Sequence, residues 1–474
     1  MAPALQAQFT TPRPQVTIET TAVQQFSFVL LIAFLFMIFS RIFDVAFSWL
    51  HIPGISYRLM GLFLVISGAF IPALRDNIGR YVFAFTGFFI AAIPFSVWRT
   101  GSLFIFTDYW LVGLVVFVAT AALIPDFRQY SRTVRTITLA ILLLAVISIT
   151  LGTMRNGRLF LEHGRFSNPN EMAQALLLGL PFWWALYANA RSLFAKLFAA
   201  ASIGFMLFVI SRTGSRGALV SIVVIIVFMF ARASFIGKVK LVAAGGVLLA
   251  LAAVTLPQNL KARYQTIFSS DPEADEADDD ADRALIGSAL ASSSSREFML
   301  ERSLYITGHH PFLGVGPGMF VVEEDSLAKA EGKRRGAWLG THNTFTQVSS
   351  ECGIPALIFY CGIVVLSFKR SYALYRRTRA NPALQAIGNN ALALNYSLLA
   401  FVVTGMFVHA AYTSLLPVLA GLTVSLARTA EPLVAEAEAG MRGAAKFSQA
   451  KTAFPLHGSV PLVRTAGASA ASAT

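Results

Sequence analysis

Twelve apolar runs of 17 to 23 residues constrain this chain more than any other feature of its sequence: 24–43, 56–74, 81–98, 106–125, 136–153, 171–190, 193–211, 216–232, 236–256, 346–368, 388–409 and 411–428. A helix of about 20 apolar residues crosses roughly 30 Å of hydrocarbon, and inside lipid only helices and closed barrels satisfy every backbone polar group. Runs this long suit helices and not the shorter strands of a barrel. The reading is an all-α polytopic membrane protein of about 12 transmembrane helices. One long loop, 257–343, separates helices 9 and 10, and the chain divides into a polar segment 1–23, a membrane domain 24–428 and a tail 429–474 rich in Ala, Ser and Gly. That tail composition suits an unstructured segment. The first 25 residues are polar and no small-residue cleavage site follows the first run, so no cleavable signal peptide is expected.

Composition closes the alternatives. Hydrophobic residues make up 55% of the 474 and charged residues only 13%, whereas soluble domains carry about 25% charged residues. A formal charge of +13 would point to nucleic acid in a soluble protein; in a membrane protein it reflects cations left on the cytoplasmic side, and no nucleic-acid partner is expected. The two cysteines, Cys352 and Cys361, are separated by about 13 Å of helical rise and cannot form a disulfide with each other.

The short loops set the orientation. One side carries fifteen cations, from Arg75 and Arg80 through Arg376, Arg377 and Arg379; the other carries eight, namely Arg41, Arg58, Arg99, Arg155, Arg158, Arg165, Arg212 and Arg216. The excess places both termini in the cytoplasm and the long loop outside. Five of the eight outer cations fall in two short loops, 155–165 and 212–216, and all five are arginine. A guanidinium presents a fixed fork of donors suited to phosphate and does not lose its charge. Snorkelling toward lipid headgroups is the plainer explanation, and an anion site the sharper one. Six of the seven histidines, His51, His163, His309, His310, His342 and His409, also fall on the outer side, leaving His457 inside.

Four outer segments carry the chemistry. In Gly164-Arg165-Phe166-Ser167-Asn168-Pro169-Asn170-Glu171 the Asn-Pro-Asn core suits a helix start, with Asn170 as the cap, whereas Arg165 opposes the helix dipole and asks for another reason. Ser211-Arg212-Thr213-Gly214-Ser215-Arg216-Gly217-Ala218 sets two arginines four apart, with Ser215 and backbone amides between them able to add donors around a phosphate. It lacks the spacing and the Lys-Ser/Thr pair of a Walker loop. The third segment runs from Arg296 and Arg302 to Gly308-His309-His310-Pro311 and the turn Gly314-Val315-Gly316-Pro317-Gly318, whose glycines alone are equally a structural turn. The fourth, Thr341-His342-Asn343-Thr344, leads to Glu351-Cys352-Gly353. A neutral imidazole where the loop meets the membrane is a candidate general base, with Asn343 beside it to orient the ring or a sugar.

Together the segments resemble the superfamily of O-antigen ligases and O-antigen and exopolysaccharide polymerases. The carriers are the R-F-x-N-P-N stretch, S-R-G-A opening a span, G-V-G-P-G, H-N with a following E-x-G, their order, and the long loop between spans nine and ten, over about residues 80–427. The resemblance implies an inner-membrane glycosyltransferase whose active site faces the periplasm. Its donor is a glycan on undecaprenyl pyrophosphate, and its acceptor is a sugar hydroxyl of a glycan or of lipid A-core. It also implies inversion at the anomeric carbon, no metal and no cofactor. On this basis His342 is the catalytic base and Arg216 and Arg296 hold the pyrophosphate, joined by Arg212 and Arg165, with Asn343, Ser215, His310 and Arg302 in support. Two departures stand out: Met319 follows G-P-G where the family often has a polar residue, and 269–295 is longer and more acidic than usual.

That stretch holds eight acids between Asp271 and Asp282 but lacks the glycine and final glutamate of a calcium loop, so a flexible solvated insert is expected. A transporter or flippase for a lipid-linked or anionic substrate also fits twelve spans. Transporters, however, place charges and broken helices at mid-membrane, and here the charges gather at the surface.

Overall fold

The computed structural model describes residues 22–155, 157–162, 168–255, 260–261, 264 and 280–453. Arg165, His163, the acidic residues 271–279 and the chain ends 1–21 and 454–474 lie outside the described residues, and with them the expectations placed there. Contacts group the chain into two units, Met1–Ala430 and Glu431–Thr474. The site developed below belongs to the first.

The chain is a multi-pass bundle of helices. Among the described residues, eight helical segments are long and apolar enough to cross a membrane: Ala22–Ser40, Asn77–Phe95, Arg99–Ala122, Phe127–Leu151, Leu193–Arg212, Thr344–Thr378, Pro382–Gly405 and Leu415–Met441. Helices Pro169–Asn189, Arg216–Arg232 and Phe235–Thr255 occupy further apolar runs. The run 56–74 is instead divided into Ile52–Ile66 and Phe70–Arg75, because Gly68, at φ +65°, turns the chain between them. The last helix runs Leu415–Ala453, well past residue 428, where composition suggested an unstructured tail. From Asp280 to His309 the long loop is also helical, so the expected flexible insert does not extend into that part.

Short polar side chains start many of these helices by accepting from the free amides of the first turn. Asp76, Asp126, Asn168, Ser192, Ser215 and Asn343 all do so. At the sixth apolar run the cap is Asn168 and not Asn170. Pro169 stands at the first helical position, and the Asn168 side chain accepts from the Asn170 amide at 2.9 Å. That leaves the Asn170 side chain available for another partner.

Pro382–Gly405 is the most deeply buried of the spans. Its helix packs against Pro169–Asn189, Thr344–Thr378 and Arg216–Arg232. Buried polar groups fix that centre: Gln174 donates to Thr404 at 2.9 Å, and Ser397 donates to the Leu178 carbonyl at 2.9 Å. Large apolar side chains such as Phe194, Leu59, Leu62, Val227 and Ile358 are exposed on the outside of the bundle, the surface expected where lipid is the solvent.

The loops assigned to a common side from their charge do meet. At one end Arg370 pairs with Asp76, Arg428 donates to the Ile124 carbonyl, and Asn389 donates to Asn189. At the other end gather the hairpin Thr153–Arg155/Arg158–Phe160, the turn at 213–215, the helix Asp280–His309 and the segment 406–414.

Candidate functional site

The site is assembled from four loops at this second end. Its anchor is Arg158 on the second hairpin strand. Its Nε donates to the Thr213 carbonyl at 2.8 Å and its Nη2 to Asn170 Oδ1 at 2.9 Å. One guanidinium therefore ties the hairpin to the first turn of Pro169–Asn189 and to the turn between the two outer arginines. That turn is tight for local reasons. Gly214 takes φ +61°, Thr213 accepts from the Ser215 amide at 3.2 Å, and Ser215 caps the next helix through the Ala218 amide. Arg212 ends one helix and Arg216 begins the other, both half-buried. A side chain at Gly217 would meet the Phe407 ring at 2.9 Å, so the S-R-G-A glycine is what lets the segment 406–414 close over the turn.

The turn Gly314–Gly318 and the sequence Glu351-Cys352-Gly353 form a single joint. Val315 and Gly316 amides donate to the Ser350 and Glu351 carbonyls at 3.0 Å, and the Ile354 amide donates to the Pro311 carbonyl at 2.7 Å. Gly353 breaks the helix at φ +86°, where a Cβ would lie 2.1 Å from the Phe312 oxygen. The buried Glu351 carboxylate accepts from the Gly318 amide at 2.8 Å and from the Tyr412 hydroxyl at 2.7 Å. The glycines of the third segment and the E-x-G of the fourth thus have a common structural purpose. They dock the helix that carries Arg296 and Arg302 onto the helix that follows His342.

His342 sits at the centre of what remains. Its backbone is in the left-handed region, φ +49°, which costs a non-glycine residue about 1–2 kcal/mol and has to be held by its surroundings. The holding groups are on either side. Thr341 donates to the Asn343 carbonyl at 3.0 Å, and Asn343 Oδ1 caps the helix through Phe345 and Thr346. Asn343 therefore orients the helix rather than the imidazole. Thr344 donates to the Val408 carbonyl at 2.9 Å and accepts from the Ala410 amide at 3.2 Å, which stitches on the segment bearing His409. The two imidazoles pack edge to face with centroids 5.4 Å apart. Burial first, then the neighbouring His409 and Arg296, push His342 down to about 4. Arg296, on the helix Asp280–His309, is thus near enough for its charge to oppose a second one on the ring.

Other sequence candidates are placed differently. Arg302 pairs with Glu331 at 2.6 Å and lies over the Phe298 ring. Hydrogen bonding to Glu331 raises the pKa of Arg302, and Arg302 with Lys333 holds Glu331 down at about 2. Its charge is engaged within the long loop, by the residue that caps Phe320–Ala330. His310 is exposed, and His309 is exposed with its ring tilted against Tyr305, centroids 4.0 Å apart. Among the described residues no group of three His, Cys, Asp or Glu is arranged to hold a metal ion.

Three residues at the site carried no role in the sequence reading: Arg158, Glu171 and His409. The five-arginine surplus contained Arg158 and the histidine bias contained His409, but neither count could select a residue. Their partners lie 12, 55 and 67 positions away in sequence. Glu171 looked like a first-turn acid suited to the helix dipole, yet its Oε1 lies 3.5 Å from His409 Nε2.

A family model described as O-antigen ligase matches residues 201–361, so the resemblance drawn from the motifs holds on this span. The match takes in Arg212, Ser215, Arg216, Arg296, Arg302, His310, His342 and Asn343, and stops short of Glu171 and His409. No curated protein matches the chain.

Proposed function

We propose that this chain, which carries an O-antigen ligase domain over residues 201–361, transfers a glycan from undecaprenyl pyrophosphate to a sugar hydroxyl of a glycan or lipid A-core acceptor. The reaction takes place at the periplasmic face of the bacterial inner membrane, in a frame of about 12 spans with both termini in the cytoplasm. The observation that carries this reading is the placement of His342 within the matched span, half-buried, packed on His409 and close enough to Arg296 that burial and these two neighbours disfavour its charged form. A base within electrostatic reach of a fixed cation suits a reaction in which a hydroxyl loses a proton while a diphosphate gains charge.

The steps follow from that division. Arg216 and Arg296, with Arg212 and Arg165, bind the pyrophosphate and stabilise the charge that develops as the glycosidic bond to it breaks. His342 accepts the proton of the attacking hydroxyl. Attack opposite the leaving group inverts the anomeric centre without a covalent glycosyl-enzyme. Because the leaving group is already a diphosphate and the arginines supply fixed positive charge, the transfer needs no divalent cation.

The test uses protein purified in detergent with its own substrates. The donor is the undecaprenyl-linked glycan that accumulates when the gene is deleted, and the acceptor is the unmodified fraction from the same cells. Transfer that releases undecaprenyl pyrophosphate one for one with glycan attached, unchanged by chelator, supports the reading. Movement of the lipid-linked glycan across vesicles without transfer would replace it by a flippase.

A further inference from the structure

One half-buried pair at the site has no task in these steps. His409 lies on the segment 406–414 and Glu171 in the first turn of Pro169–Asn189, 3.5 Å apart. His409 packs edge to face on His342. Behind it, Gly340 allows the loop to lie against the ring: a Cβ there would stand 3.0 Å from Cγ and Nδ1. The Thr344 and Gln347 side chains fix the segment on both sides of His409 through Val408, Ala410 and Ala411. The ring thus has a carboxyl group 3.5 Å from one edge, a glycine against one face and the catalytic candidate against another. A metal-bound or catalytic imidazole is ordinarily set by a partner that holds its orientation. Asn343 gives its Oδ1 to the helix cap, and His342 Nδ1 is buried without a hydrogen bond.

We propose that His409, anchored by Glu171, is the positioning residue for His342 in glycan transfer. The inference rests on the reading of His342 as the base. His409 does not touch the reacting atoms. It presents a ring against which His342 is fixed, and Glu171 fixes that ring in turn. The charged and titratable groups facing this arrangement are His409 from the segment 406–414 and Arg296 from the helix Asp280–His309, both against His342, with Glu171 against His409. Two of the three are cationic when charged, so protonation of His409 opposes protonation of His342, and the pair works in its neutral form.

The experiment measures kcat, KM and the pH profile of transfer in purified protein, using the donor and acceptor fractions from deletion cells. The variants are His409→Phe, His409→Gln, Glu171→Gln and Glu171→Leu, each checked for a wild-type elution profile. His409→Phe keeps a ring on His342 but has no nitrogen for Glu171, and it should lower kcat on the order of tenfold or more with both KM values unmoved. His409→Gln should do the same. Both should move the acid limb of kcat/KM upward, because a group opposing the charge on His342 is gone. Glu171→Gln keeps an oxygen for the ring N–H and should retain most activity, while Glu171→Leu should lower kcat as His409→Phe does. The double variant should be no worse than either single one. Wild-type kcat in His409→Phe and Glu171→Leu, with an unmoved acid limb in His409→Phe, would overturn the proposal, as would losses that multiply in the double variant. His342→Ala is run alongside. If it is inactive while the His409 variants are normal, only this inference falls; if it is active, the underlying reading falls with it.

Discussion

The pH dependence of transfer is the prediction that draws most directly on the geometry of the site. His342 is held at about 4 by burial and by His409 and Arg296, against about 6.5 for a free imidazole. The difference corresponds to about 3 kcal/mol against the charged ring. In the free protein His342 is therefore neutral throughout the neutral range. The acid limb of kcat/KM, which reports the free protein, should fall near pH 4 to 5 and not near 6.5. A bound diphosphate adds negative charge to the same site and favours imidazolium, so the limb of kcat should lie above that of kcat/KM. This shift also strengthens the base when it is needed, since an imidazole of low pKa accepts a proton poorly. For stability the sign is that of a depressed histidine: the unfolded chain binds the proton first, so this contribution is complete above about 6.5 and is lost as pH falls toward 4. The assay is initial-rate transfer in detergent between pH 4 and 8, with donor varied at each point. A kcat/KM limb at or above 6.5, or one coincident with that of kcat, would refute the electrostatic account of His342.

Three further outcomes are expected. Gly353→Ala places a Cβ 2.1 Å from the Phe312 oxygen at a backbone of φ +86°, and should destabilise the protein by at least about 2 kcal/mol, read as a lowered thermal midpoint in detergent; an unchanged midpoint would mean that the joint bends freely. Arg158→Ala leaves the Thr213 carbonyl and the Asn170 side chain unpaired and should lose about 1.5–3 kcal/mol, with Arg158→Lys recovering only part because it cannot span both. Arg216→Lys and Arg296→Lys should each retain only a small part of transfer, mostly through donor KM; full activity in either would remove the case for bidentate pyrophosphate binding.

The bundle was legible because its signal is local: twenty apolar residues in a row carry their own meaning. The helix starts were legible for the same reason, although the cap read as Asn170 is Asn168. Where a helix is interrupted, the cause is a contact and not a composition. Gly353 bends its helix because Phe312 presses on it from 41 positions upstream, and nothing in E-x-G distinguishes that from an ordinary span entry. His342 and Arg296 were marked by their motifs. Arg158, Glu171 and His409 were not, since each takes its meaning from a partner on another helix. Asn343 shows the converse: a polar neighbour in sequence, read as able to orient the ring or a sugar, has its side-chain oxygen taken up by the backbone amides of the next helix.

The central claim is that His342 performs the proton transfer while separate residues hold the donor. The direct measurement is a paired one on His342→Ala: transfer of glycan to acceptor, with the product's anomeric configuration read by NMR for the wild type, and equilibrium binding of the undecaprenyl pyrophosphate-linked donor. The account predicts an inverted anomeric centre in the wild-type product, transfer lost by about 10²-fold or more in the variant, and donor affinity nearly unchanged. Retained configuration, or wild-type turnover in His342→Ala, would contradict it.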